Sequence, residues 1–197
     1  MESVSPIMLV VFTMRGETIA PPVLLLTGLW VLHYVYRAVV YPFRAKWSSK
    51  QMPVVIMVSA IFFNSVNGGL NGSAFSTLDT SEFWTSPFTW LGLVLFLSGL
   101  WINLRSDRTL LQLRGDGDTG YRIPQGGLYR WISCPNYLGE IIEWTGFAIM
   151  ASTLPALSFA IWTIANLVPR AISHHRWYLS KFPDYPSDRR AILPFLV

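Results

Sequence analysis

Apolar residues occur along this sequence in six runs, separated by segments rich in polar residues, glycine and proline. The runs are Ile7–Met14, Ile19–Tyr41, Met52–Phe63, Phe88–Ile102, Tyr137–Leu154 and Leu157–Ala171. A helix that crosses a bilayer needs about 20 residues, so the first run is too short for a full crossing. The pattern predicts an all-α fold: a polytopic integral membrane helical bundle with about six apolar helices.

One polar segment within this pattern has two interpretations. The third apolar run continues into Asn64–Gly72, whose sequence is NSVNGGLNG. Asparagine and glycine are tolerated at membrane depth where they face protein or a water-filled cavity. Alternatively, the chain leaves the membrane here as a loop, and the pattern leaves both interpretations open.

Composition agrees with a membrane protein and excludes several functions. The chain has 197 residues, of which 52% are hydrophobic and 13% charged, whereas about 25% are charged in a soluble domain. The basic residues behind the net charge of +4 flank apolar runs, so we expect them to determine topology and expect no nucleic-acid partner. With three histidines, no HExxH motif and the single Cys134, we expect no metal site and a packed or capping role for the thiol.

Charge placement predicts the orientation in the membrane. If the runs alternate sides, the loops after the second and fourth runs lie on one side together with the C-terminal tail, and these segments hold most of the lysines and arginines. The opposite loop Ser73–Pro87 contains Asp79 and Glu82 but no cation. Because cytoplasmic loops carry an excess of Lys and Arg, we expect the basic side to face the cytosol. The membrane would be the inner membrane in a bacterium or the endoplasmic reticulum in a eukaryote.

Polar residues at helical spacing mark three of the predicted helices. Residues spaced by three, four or seven share one face of a helix. Any one such set could serve only to join helices, but charges near lipid are costly and suggest function. Three sets at one membrane face therefore predict a cytosol-facing binding pocket. The sets are Asn103, Asp107 and Arg114 if the fourth helix continues; Asn136, Glu140 and Glu143; and Arg170, His174 and Tyr178.

Several motifs in this half of the chain resemble a known family. They are NLRSD, LQLR, YRIPQGGLYRWIS, NYLGEIIEW, TLPALSFA, HHRWYL and FPDYPSDRRAILPF. From about Leu24 to Val197 the sequence resembles the steroid 5α-reductases (3-oxo-5α-steroid 4-dehydrogenases). That resemblance implies a membrane enzyme that uses NADPH to reduce the 4,5 double bond of a 3-oxo-4-ene steroid. Family members have seven spans, and we expect this sequence to lack the first of them.

The resemblance also implies roles for individual residues. LHYVYRAVVYP resembles the family motif that carries the substrate tyrosine, which is Tyr34 here, and Met1-Glu2-Ser3 resembles the segment whose glutamate pairs with that tyrosine over the substrate ketone. We therefore expect Glu2 and Tyr34 to be catalytic. The implied cofactor-binding residues are Lys50, Asn103, Asp107, Arg114, Tyr121, Arg122, Asn136, Glu140, Arg170, His174, Tyr178 and Arg189.

We expect residues 1–197 to form a single membrane-embedded domain with two functional parts. We expect residues 1–87 to form mainly the substrate cavity and residues 88–197 mainly the cofactor-binding part. The expected partners are a lipophilic, steroid-like substrate and the bilayer, and we expect a monomer.

Three other functions fit the same pattern. The first is reduction of another lipid enone, such as a polyprenal or a sterol intermediate. The second is methyl transfer by a membrane enzyme of the isoprenylcysteine type, since those enzymes also have cytosolic C-terminal motifs rich in His, Tyr and Glu. The third is a non-catalytic membrane scaffold, in which the polar sets only join helices.

Overall fold

A computed structural model describes residues 1–45, 53–113 and 121–194, and helices account for most of these residues. A π-helical turn, Tyr36–Val40, links the helices Pro21–Val35 and Tyr41–Arg44, and a 3-10 turn, Gly127–Arg130, precedes the helix Pro135–Ala151. Within the described ranges there is no strand, although Ile132 and Arg190 form an isolated parallel bridge. The all-α prediction is confirmed. The helices are α1 (Val4–Thr13), α2 (Pro21–Val35), α3 (Tyr41–Arg44), α4 (Val54–Ser76), α5 (Pro87–Leu113), α6 (Pro135–Ala151) and α7 (Leu154–Lys181).

Four of the described helical segments are long and apolar enough to cross a membrane. They are Pro21–Arg44, which joins α2 to α3, together with α4, α5 and α7. The first predicted run is a helix of ten residues, too short for a crossing as expected. Large apolar side chains remain exposed on these elements, as at Phe62 and Val94. The chain is a multi-pass membrane helical protein.

The first of two compact units comprises Met1–Trp90 and Ala151–Leu157. Here α1 packs along α4, and two glycines of α4 allow the close approach. A Cβ at Gly68 would collide with the carbonyl oxygen of Ser5, and one at Gly72 with that of Leu9. Asn64–Gly72 is therefore helix that faces protein, which decides between the two interpretations above.

The second unit comprises Leu91–Met150 and Ser158–Val197. Its helices α5 and α6 meet through two glycine pairs: Gly92 lies against Gly146, and Gly99 against Gly139. The two glycines on each helix are seven residues apart, so both pairs lie on one face of α5 and one face of α6. Small residues of this kind let two membrane helices approach closely.

A buried cluster attaches the C-terminal segment to unit 2. It contains Cys134, Ala171, Ala191 and Ile192, and the Cys134 N–H donates a hydrogen bond to the Ala191 carbonyl oxygen at 3.1 Å. Burial raises the pKa of the Cys134 thiol to about 12. Burial therefore disfavours the nucleophilic thiolate form, and Cys134 is a packed residue.

Candidate functional site

Helix α5 continues through Leu113, which places two of the candidate cofactor residues on its buried face. Asn103 is 2% exposed and Asp107 is 1% exposed. The Asn103 side-chain amide donates to the backbone carbonyl oxygen of Asn136 at 3.2 Å. The structure thus joins the polar sets of α5 and α6 directly. Arg114 lies outside the described residues.

The polar set of α6 becomes more buried along the helix. Asn136 and Glu140 are half-buried, whereas Glu143 is fully buried. The Glu143 backbone lies beside Gly99, at the glycine contact between α5 and α6. Glu140 is therefore accessible to a ligand, and Glu143 belongs to the helix interface.

The polar set of α7 is more open to its surroundings. Arg170 and His174 are exposed, and Tyr178 is half-buried. The His174 ring lies 5.9 Å from the Tyr137 ring, so this set contacts the beginning of α6. An exposed guanidinium such as that of Arg170 suits the oxygens of a phosphate group.

Arg189 holds the loop before α6 in place. Its side chain is 2% exposed, with Nη1 donating to the Pro124 carbonyl oxygen at 3.0 Å and Nη2 to Gln125 Oε1 at 3.1 Å. The Arg189 Cζ atom lies 5.1 Å from the centroid of the Tyr185 ring. Tyr185 in turn stacks on Tyr178, with 5.1 Å between ring centroids. Arg189 therefore links the loop to α7.

The same loop carries the two remaining described candidates. Tyr121 and Arg122 are both exposed, and the Tyr121 ring lies 4.9 Å from the Trp177 ring. Further along, Gly126 and Gly127 have φ angles of +81° and +53°, a region that favours glycine. These glycines are required by the turn. Lys50, like Arg114, lies outside the described residues.

One buried cluster in unit 2 was missed by the reasoning from sequence. Ser133 Oγ lies 2.7 Å from His175 Nδ1 and 2.6 Å from Tyr185 Oη. Both Ser133 and Tyr185 are buried. The cluster fixes the Tyr185 ring that supports Tyr178 and Arg189. Its three members come from three segments with no common spacing, so no periodicity in the sequence indicates it.

Unit 1 holds the predicted substrate tyrosine. Tyr34 is 6% exposed and stacks on Trp30, with ring centroids 5.7 Å apart. Trp30 Nε1 donates to Ser5 Oγ at 3.2 Å, which ties α2 to α1. His33 is also buried and meets the Tyr34 ring edge-on at 5.3 Å. Tyr34 is therefore a packed residue with a fixed ring.

Glu2 lies in the same unit and forms an ion pair. Its Oε1 atom is 3.7 Å from Arg37 Nη2, and the side chain of Glu2 is 43% exposed. An ion pair uses the ionised carboxylate, whereas a hydrogen-bond donor to a ketone must be protonated. A half-exposed pair of this kind contributes little to stability.

The described candidate residues of unit 2 offer three kinds of contact to a ligand. Unit 2 combines the exposed cation Arg170, the buried amide of Asn103 and stacked aromatic rings at Tyr178. Among residues 1–45, 53–113 and 121–194, no group of three His, Cys, Asp or Glu residues is placed to hold a metal ion.

Comparisons with known proteins give consistent matches. A family model described as 3-oxo-5-alpha-steroid 4-dehydrogenase matches residues 50–197. Steroid 5-alpha-reductase DET2 of Solanum lycopersicum is 40% identical over 194 residues, which cover 95% of this chain and 75% of that protein. 3-oxo-5-alpha-steroid 4-dehydrogenase 2 of Homo sapiens is 41% identical over 180 residues, covering 89% and 69%. 3-oxo-5-alpha-steroid 4-dehydrogenase 1 of Homo sapiens is 40% identical over 177 residues, covering 89% and 68%.

Proposed function

The chain belongs to the 3-oxo-5-alpha-steroid 4-dehydrogenase family, and on that premise we propose that it reduces the 4,5 double bond of a 3-oxo-4-ene steroid to give a 3-oxo-5α-steroid. Family membership makes it an oxidoreductase that acts on a CH–CH bond. The observation that carries the proposal is this match, which extends over both units, since the DET2 relative aligns with 95% of the chain.

We assign cofactor binding mainly to unit 2. NADPH, when bound, supplies the hydride that C5 of the steroid receives. Arg122 and Arg170 would hold its phosphates, because the planar guanidinium matches phosphate oxygens. Asn103, Asp107, Asn136 and Glu140 would bind its polar groups.

Tyr121, His174 and Tyr178 complete the proposed cofactor-binding set, with Lys50 and Arg114 added from the family resemblance. Arg189 has a different part in this proposal. Since its two Nη atoms donate to Pro124 and Gln125, it positions the loop that carries Tyr121 and Arg122.

We assign polarisation of the substrate ketone to Tyr34. Its phenol O–H would donate a hydrogen bond to the C3 carbonyl oxygen, where negative charge develops as C5 is reduced. A donor aimed at developing charge is typically worth about 3–4 kcal/mol of barrier. C4 then takes up a proton to complete the product.

Glu2 is the second proposed donor, and its contact with Arg37 sets a condition. A protonated Glu2 would share the ketone with Tyr34, which requires the 3.7 Å ion pair to open when substrate binds. Because the pair is half-exposed and weak, opening it costs little.

We also propose that the cofactor side of the protein faces the cytosol. The support is the bias of lysine and arginine towards one set of loops. The membrane is the inner membrane in a bacterium or the endoplasmic reticulum in a eukaryote.

Cofactor consumption tests the proposal against its rivals. Purified protein in detergent, given a 3-oxo-4-ene steroid, should oxidise NADPH and leave S-adenosylmethionine unchanged. NADPH should also raise the melting temperature, since a ligand that binds the folded form stabilises it. Methyl transfer would instead indicate a methyltransferase, and no thermal shift with either cofactor would indicate a scaffold. Turnover of a polyprenal but not of the steroid would indicate a reductase whose substrate is a different lipid enone.

A further inference from the structure

An open groove of about 1100 Å³ lies on unit 2, between α5, the loop before α6 and the C-terminal segment. Three arginines line it: Arg105 of α5, Arg130 of the 3-10 turn and Arg189 of the C-terminal segment. One carboxylate, that of Asp188, lines it as well. The groove therefore has an excess of positive charge.

Two contacts build this groove. The Tyr129 hydroxyl donates to the backbone carbonyl oxygen of Ser106 at 3.3 Å, which anchors the 3-10 turn to α5. The Arg190 N–H donates to the Trp131 carbonyl oxygen at 2.9 Å, which fixes the C-terminal segment beside the turn. Arg105 and Arg130 consequently line the same groove.

The two outer arginines are available to an anion. Both are exposed, and their Cζ atoms lie over tryptophan rings, Arg105 at 5.4 Å from Trp101 and Arg130 at 5.9 Å from Trp131. Neither forms an ion pair with a carboxylate in the described parts of the chain. A guanidinium offers a fork of donors that matches phosphate oxygens.

The position of the groove along α5 indicates which kind of molecule carries the phosphate group that the arginines would bind. The helix has no charged residue before Arg105 and three from Arg105 to Arg108, so we expect Trp101 and Arg105 to lie near the boundary between lipid and water. Trp101 is 60% exposed and Trp131 42% exposed, and tryptophan is enriched at this level of a membrane. Phospholipid headgroups occupy the same level. We infer that the groove binds the phosphate of an anionic phospholipid headgroup.

This site is separate from the proposed cofactor residues of α5. Asn103 and Asp107 each lie two residues from Arg105, which is about 160° around a helix with 3.6 residues per turn. They are buried, whereas Arg105 is exposed. Substitution of Arg105 and Arg130 should therefore leave NADPH binding unchanged.

Native mass spectrometry of the detergent-purified protein tests the inference. Palmitoyl-oleoyl-phosphatidylglycerol should remain bound to the wild type, and the phosphatidylcholine with the same chains should not. The double variant Arg105→Gln/Arg130→Gln should bind phosphatidylglycerol roughly 10- to 30-fold more weakly, since each cation near an anionic lipid contributes about a factor of five. Arg108→Gln, which removes an exposed arginine of α5 outside the groove, should bind it like the wild type.

Four results would overturn the inference. One is equal binding of the two lipids, and another is unchanged phosphatidylglycerol binding by the double variant. The third is weaker NADPH binding by that variant with lipid binding intact, which would make the groove part of the cofactor site. The fourth is inorganic phosphate binding as tightly as the lipid. If the double variant does not fold, Arg130→Gln alone, in an exposed turn, must still weaken phosphatidylglycerol binding.

Discussion

At the scale of single residues, Tyr34 has the features that a fixed hydrogen-bond donor needs. Its ring is buried and stacked on Trp30, and Trp30 is itself bonded to Ser5 of α1. The ring direction is thus set by packing, independently of a ligand. A donor whose position is fixed before the reaction gains most from developing charge on the substrate.

Removal of the Tyr34 hydroxyl should therefore affect turnover specifically. We expect Tyr34→Phe to lower kcat by about 10²- to 10³-fold, because the ketone loses its donor. Ring stacking is retained, so the melting temperature and the Kd for NADPH should stay close to those of the wild type. Steady-state kinetics measure kcat, thermal unfolding measures the melting temperature, and NADPH titration measures the Kd. Tyr36→Phe, two residues away on the π-helical turn, is the matched control, and normal turnover by Tyr34→Phe would exclude the proposed role.

Spacing in the sequence predicts some site contacts and misses others for a physical reason. Helical periodicity predicts that the polar sets of α5 and α6 lie at one membrane face, and the bond from the Asn103 side chain to the Asn136 backbone carbonyl oxygen joins those two sets. Ser133, His175 and Tyr185 belong to a loop, a helix and an irregular segment. Contacts between such segments depend on the three-dimensional path of the chain, which periodicity does not contain.

At the scale of elements, the glycine contacts between α5 and α6 set the position of the polar site. A Cβ at Gly139 would lie 2.6 Å from the backbone nitrogen of Asn103 and 2.7 Å from the backbone carbonyl oxygen of Gly99. The two helix backbones must therefore be this close for Asn103 to reach Asn136. The glycine pairs were not predicted, because the sequence pattern shows small residues but not which partner they face.

Gly139→Ala should consequently weaken both the fold and the cofactor site. Overpacking of a close contact costs typically about 1–3 kcal/mol, and displacement of Asn103 should raise the Kd for NADPH. Gly28→Ala in α2 is the matched control, since a Cβ there meets nothing within 4 Å, and alanine is the better helix former by up to about 1 kcal/mol. Thermal unfolding and NADPH titration should separate the two variants. Equal stability would contradict the close-packing account.

The helical character of Asn64–Gly72 shows a related limit at this scale. Polar composition alone was compatible with a loop, whereas Gly68 and Gly72 lie against the backbone of α1. The Asn71 side-chain amide donates to the backbone carbonyl oxygen of Asn67 at 3.0 Å, so part of the hydrogen-bonding capacity of Asn71 is satisfied within the helix. A polar segment can thus remain helical in a membrane protein when its small residues face another helix.

At the scale of the whole molecule, the pattern of apolar runs correctly predicted a multi-pass helical protein. The orientation of that protein, its single-domain division at residue 87 and its monomeric state stay predictions. Orientation in particular depends on charge bias relative to a membrane, and helix packing alone does not reveal it. The most informative test of the whole account is therefore chemical.

The most direct measurement is isotope transfer from the cofactor to the steroid. Purified protein is incubated with NADPH that carries deuterium at the transferable position of C4 of the nicotinamide and with a 3-oxo-4-ene steroid, and the product is examined by NMR and mass spectrometry. The account predicts a 3-oxo-5α-steroid with one deuterium at C5 and hydrogen from solvent at C4. A product without deuterium at C5, or an unreacted steroid beside consumed S-adenosylmethionine, would contradict it.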